Sequence, residues 1–132
     1  MQKIGNLAGR ILLAHIFLMA GLTKITGYAG TQQYMEAMGV PGGLLPLVIL
    51  LEVGGAVALI VGWQQRWAAL ALAGFSVIAA GVFHANFGDQ MQMIMFMKNL
   101  AIAGGLLILA GQDVRETISI DSRLKMRTAA AH

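Results

Sequence analysis

Residues 42–63 read GGLLPLVILLEVGGAVALIVGW, and Glu52 is the one charged group in the stretch. A transmembrane helix needs about 20 mostly apolar residues, so this segment is long and apolar enough to span a bilayer. A charge at the centre of such a helix costs about 2.5–3.5 kcal/mol on the insertion scale. Charges of this kind are usually paired, turned inward and functional. The segment therefore points to the fold class and marks Glu52 as the first candidate site residue.

Three further segments have the same character, at about residues 4–24, 67–87 and 91–111. Composition agrees with them. Of the 132 residues 58% are apolar and 11% charged, whereas a soluble domain carries about 25% charged residues. The mean hydropathy is +0.72. A soluble chain this small needs more polar surface, and a disordered one needs far less apolar content. The expected architecture is an all-α integral membrane protein: a four-transmembrane-helix bundle over residues 1–111, both termini cytoplasmic, then a polar cytoplasmic tail over 112–132. The last residues, 128–132, are expected to be disordered. The first segment has the basic start and apolar run of a signal peptide. No convincing small-x-small cleavage site follows, so it reads as a retained span.

There is no cysteine, which excludes disulfides, Fe–S clusters, thiolate zinc sites and thiol redox chemistry on this chain. The net charge is +3. The basic residues gather at helix ends and in the tail and form no basic patch with interleaved aromatics, so they speak for membrane topology and against nucleic acid. With cytoplasmic termini, Lys3, Arg10, Arg66, Arg115, Arg123, Lys125 and Arg127 lie inside, and only Lys24 and Lys98 outside. Trp63 and Trp67 flank Arg66 as aromatic belts do. The connector over residues 25–41 reads as a short interfacial helix across the outer mouth, capped by Thr31 and stopped by Gly39 and Pro41.

Helix pairing in lipid relies on small residues, and each span has a stripe of them carrying an ionisable group. The stripes are Arg10–Ala14–Phe17–Gly21–Lys24, Glu52–Gly55–Leu59–Gly62, Gly74–Val77–Gly81–His84 and Lys98–Ala101–Gly105. All four are expected to face inward. The two hairpins are weakly alike, with Ala20-Gly21 against Ala80-Gly81 and Gly54-Gly55 against Gly104-Gly105. Such a parallel repeat would make Lys24 and His84 quasi-equivalent. At 1.5 Å per residue, Glu52 lies about 15 Å and Lys98 about 10 Å below the outer face. This predicts a Glu52–Lys98 ion pair with Asn99 beside it. Lys24 and His84 stand above, and the whole forms a polar pocket opening outward. A purely structural clamp is the competing reading of the pair.

Other polar groups fit less well. His15 faces away from the stripe of the first span and reads as a contact residue. Arg10 either snorkels to the boundary or turns into the core. The run Met91, Met93, Met95 and Met97 has a period of two, which spreads thioethers around a helix, so packing is expected rather than copper. His15 and His84 differ by about 9 Å in depth, which argues against haem, and too few ligands converge for zinc. No metal is expected.

Four motifs stand in order. They are an arginine followed by G-x-x-K (Arg10; Gly21, Lys24), E-x-G-G…G (Glu52, Gly54, Gly55, Gly62), a third-span histidine (His84) and K-N-x-x-I-x-G-G (Lys98, Asn99, Ile102, Gly104, Gly105). The chain from about Arg10 to about Asp121 resembles the DoxX family. That resemblance implies a four-helix protein of the bacterial inner membrane. It also links the fold to the membrane subunit of thiosulfate:quinone oxidoreductase and to partners in oxidative defence. It makes a quinone, ubiquinone or menaquinone, the expected ligand. Glu52, Lys98 and His84 are then the candidates for chemistry, and Lys24, Asn99 and Tyr28 for headgroup binding. Two other functions stay open: a non-enzymatic scaffold for redox or stress-response proteins, and a small-solute or proton pathway, which would need a homo-oligomer.

Overall fold

The computed structural model describes residues 2–114 and 117–131; Arg115, counted in the topology above, and His132 lie outside them. Among the described residues six α-helices follow one another: α1 (Gln2–Thr26), α2 (Tyr28–Ala37), α3 (Leu45–Val61), α4 (Gln65–Phe83), α5 (Gln90–Ala110) and α6 (Ile120–Ala131). A 3-10 turn, Gly42–Leu44, leads into α3. No strand occurs among the described residues. Four stretches are long and apolar enough to cross a membrane: Gln2–Thr26, Gly42–Val61, Gln65–Phe83 and Gln90–Ala110.

The helices pack as two antiparallel hairpins. α1 lies along α3, α4 lies along α5, and α3 against α4 joins the pairs. α1 and α5 touch only lightly. One end of the bundle holds the start of α1, the α3–α4 turn and α6; this is the terminal end. The other holds α2 and the α4–α5 turn; this is the connector end.

The apolar core is lopsided. Ala14, Phe17, Ala56, Leu59, Leu72, Ala103 and Leu106 form its buried cluster, and they belong to the half nearer the terminal end. Toward the connector end α5 has partial cover only, and none of residues 90–102 is buried.

The connector folds as expected in kind, with different ends. α2 begins at Tyr28, before Thr31, and no side chain caps it. Gly39 at φ 81° turns the chain out of it. α2 crosses the connector end and is fastened on both sides. Gln32 Nε2 donates to the Gly42 carbonyl at 3.1 Å, and Tyr34 stacks on Phe83 of α4 with ring centroids 5.4 Å apart.

The tail departs from expectation. Residues 128–131, expected to be disordered, continue the helix α6, and the tail docks on the bundle. The N–H groups of Gln64 and Gln65, at the start of α4, donate to the two carboxylate oxygens of Asp121 at 2.9 and 2.8 Å. The Asp121 N–H donates to the Gly62 carbonyl at 2.9 Å. A helix start leaves orphan N–H groups, and here the cap comes from a residue far along the chain. Ser119 caps α6 by accepting from the Ser122 N–H at 3.0 Å.

Candidate functional site

Glu52 sits in mid-α3 with 2% of its side chain exposed, and Lys24 Nζ lies 2.7 Å from its Oε1. The pair is possible because α1 and α3 approach closely at Gly21. A Cβ there would stand 2.5 Å from Val53 Cγ2 and 3.4 Å from Glu52 Cβ. Helical side chains lean toward the N-terminus. Lys24, from the last turn of α1, therefore reaches back down to the level of Gly21 and meets the carboxylate.

The expected partner, Lys98, is not there. Lys98 is exposed on α5, and α3 and α5 share no substantial contact. The depth arithmetic matched the levels of Glu52 and Lys98, but level does not fix facing. The half-buried and buried face of α5 runs through Gln92, Phe96, Asn99 and Ala103. Lys98 is one residue from Asn99, about 100° around the helix, and points out of the bundle. The same slip affects the third span. Gly74, Val77 and Gly81 are exposed, and the buried face is Leu72, Ser76 and Ala80. In the first hairpin the expected stripes hold: Arg10, Ala14, Phe17, Gly21, Glu52, Gly55, Leu59 and Gly62 are all buried.

His84 is half-buried just past α4, and its Nδ1 lies 2.8 Å from Gln92 Oε1. Gln92 was not singled out from sequence; its only signal is its nearness to His84 across a short turn. Asn99 is half-buried on the inward face of α5, and Tyr28 is exposed at the start of α2. The proposed site residues therefore divide into a Lys24–Glu52 pair, a His84–Gln92 pair, and Asn99 below the latter. Lys98 belongs to none of these. His15 is exposed, on the far side of α1 as expected. The four methionines from Met91 to Met97 are all exposed, so they face outward and do not pack inside the bundle.

The second polar centre lies at the terminal end. Arg10 is fully buried. Its Nη1 donates to the Leu59 carbonyl at 3.2 Å, and its Nη2 donates to the Ile118 carbonyl. Of the two readings of Arg10, the core-directed one holds: the guanidinium ties α1 to the end of α3 and to the segment before α6. Gly62 makes room for it. Its φ is +72°, and a Cβ would overlap both Arg10 Nη1 and Ser119 Cβ.

The fold and its ionisable residues define a small four-span membrane protein with a charge pair, a buried Glu52 and a half-buried Lys24, between its first two spans. Comparison makes this specific. The sequence profile of the DoxX family matches residues 5–85. The chain is 56% identical to the inner membrane protein YqjF of Escherichia coli (strain K12), over 83% of this chain and 85% of that protein. It is 34% identical to the inner membrane protein YphA of the same organism, over 79% of each. The chain belongs to the DoxX family and is a bacterial inner-membrane protein. No solved structure matches it.

Proposed function

We propose that this protein binds the headgroup of a membrane quinone in the connector half of the bundle and serves a quinone-linked redox reaction. The carrying observation is the Lys24–Glu52 pair, whose carboxylate is buried in the middle of a bilayer-length helix. A pair kept there at the cost of desolvation is suited to hydrogen-bond a quinone oxygen through the ammonium. It is equally suited to pass a proton through the carboxylate. The surroundings support this reading. α5 is only partly covered toward the connector end, and the weak contact between α1 and α5 leaves a seam for a ligand arriving from the bilayer. His84 and Asn99 add polar groups in that half. The chain has no cysteine, so electrons come from a partner protein: two electrons and two protons convert quinone to quinol, and Glu52 relays protons.

The test is mass spectrometry of small molecules extracted from the protein in lipid nanodiscs. Quinone should be enriched over bulk lipid in the native protein and in Lys98→Met, and lost in Lys24→Met and Glu52→Gln. Equal quinone in all four, or none, would overturn the proposal. A second reading, a scaffold that gathers redox proteins, is favoured by one observation. Lys98, Gly74, Gly81 and Gly104 are exposed, and no group stands within 4 Å of a Cβ built on any of these three glycines. Partners that co-purify with the native protein and are lost on Gly81→Leu or Gly104→Leu would support it.

A further inference from the structure

A cavity of about 390 Å³ opens at the terminal end between the start of α4, the end of α5 and α6. It is far from the Lys24–Glu52 pair, and the quinone reading does not use it. Its polar lining includes Gln64, Arg66, Gln112, Asp121 and Lys125, with Trp67 at its edge. Binding sites for small molecules run to about 300–1,000 Å³, so the space suits a headgroup.

Three features define what it would hold. The first is height. α4 starts at Gln65 and α5 ends at Ala110, so the cavity lies where two spans leave the hydrocarbon. Trp67 is 64% exposed there, as tryptophan is at the headgroup level, with the Arg66 guanidinium carbon 5.7 Å from its ring centroid. The second is charge. Arg66 and Lys125 are both exposed, and neither pairs with a carboxylate among the described residues. Asp121 offsets only one of the two positive charges, and both its oxygens already accept from the α4 N–H groups. That cap also closes the helix start to any other anion. The third is the tail itself. α6 brings Lys125 to the cavity beside one acid, Asp121, and it is held on the bundle by the Asp121 bonds. Basic residues next to a span draw anionic lipid, and arginine in particular grips phosphate oxygens with paired N–H donors.

We propose that this cavity binds the phosphate headgroup of an anionic phospholipid, with Arg66 and Lys125 on the phosphate oxygens and Trp67 at the level of the glycerol. The acyl chains stay in the bilayer beside α4 and α5.

The test uses the full chain in detergent, with native mass spectrometry counting retained phosphatidylglycerol against phosphatidylcholine. The native protein should hold one phosphatidylglycerol in preference. Each basic residue near an anionic surface contributes about fivefold, so Arg66→Gln with Lys125→Gln should reduce the preference about 30-fold. Arg66→Lys with Lys125→Arg keeps both charges and should retain most of it. Lys3→Gln with Arg127→Gln removes equal charge outside the cavity and should leave one lipid bound. Equal loss in that control would overturn the proposal, since the attraction would then be diffuse. No preference in the native protein would overturn it as well. So would displacement of the lipid by millimolar inorganic phosphate, because the cavity would then read a free anion.

Discussion

The two hairpins are built from similar parts and use them in opposite ways. In the first, α1 and α3 turn their charges toward each other at Gly21: Gly21 and Glu52 are buried and Lys24 closes on Glu52 at 2.7 Å, while Gly55 is buried against Leu72 of α4. In the second, Gly74, Gly81 and Gly104 face outward together with Lys98, while alanine, leucine and Ser76 make the contact between α4 and α5. Ala20-Gly21 and Ala80-Gly81 are alike as text. Yet Gly21 meets Val53 closely, and a Cβ at Gly81 would meet nothing within 4 Å. A small residue in a membrane helix permits close approach without saying which neighbour approaches. The first hairpin uses Gly21 to bring a charge pair together; the second leaves Gly74, Gly81 and Gly104 facing outward.

The sharpest way to break this contrast is to remove one charge from each hairpin. Lys24→Met leaves Glu52 buried without its partner. Losing one member of a buried pair costs about 3–5 kcal/mol, and unfolding in detergent should show a loss of that size. The double variant Lys24→Met with Glu52→Gln should recover much of it, since a neutral amide is cheaper to bury than an orphan carboxylate. If Lys24→Met proves no worse than a surface change, the pair is not a feature of the folded protein in a membrane.

Glycine substitutions sharpen the contrast by a smaller amount. Gly21→Ala would press a methyl group against Val53 Cγ2, 2.5 Å from the ideal Cβ position. Overpacking of this kind costs about 1–3 kcal/mol, and it would also push Lys24 away from Glu52. Gly81→Ala meets open space and trades glycine for a better helix former. It should raise stability by up to about 1 kcal/mol. Thermal unfolding of the two variants side by side would separate the hairpins. Equal losses would mean that the outward face of α4 is already covered.

How much of this was legible beforehand follows the same division. The spans were readable because twenty apolar residues in a row admit few alternatives. The inward faces of α1 and α3 were readable because each bears an ionisable group that only the bundle interior can hold. Applying that rule to α5 failed, since a lysine about 12 Å along a helix by its rise has a stem long enough to carry its charge toward the boundary. Lys98 therefore gives no bearing on the interior, whereas Asn99, a short polar residue without that reach, does. The docking of the tail was not legible at all. Asp121 and the α3–α4 turn are far apart in sequence, and no local pattern announces a cap supplied from such a distance.

That cap gives a prediction on the joint between the hairpins. Asp121→Ala deprives the Gln64 and Gln65 N–H groups of their acceptor and should cost about 0.5–2 kcal/mol, the usual range for a lost N-terminal cap. Protease cleavage within α6 should become faster, because the Asp121 carboxylate bonds help hold that helix to the bundle. Asp121→Asn keeps one acceptor oxygen and should fall between the two. Cleavage at the native rate in Asp121→Ala would mean that Arg10, through the Ile118 carbonyl, suffices to dock the tail.

The smallest expected effect belongs to Lys98→Met. Lys98 is exposed in the folded chain, and it is equally exposed when the helices separate within a membrane. Its removal should then change stability by no more than about 0.5 kcal/mol, as outward-facing substitutions usually do. The informative readout is therefore assembly, measured by sedimentation or by cross-linking in nanodiscs. If the outward face of α5 meets a partner or a second copy, Lys98→Met should alter the assembled fraction while the unfolding midpoint stays in place. If both stay in place, Lys98 does no more than carry its charge to the membrane surface. The second hairpin would then differ from the first because its small residues face lipid alone.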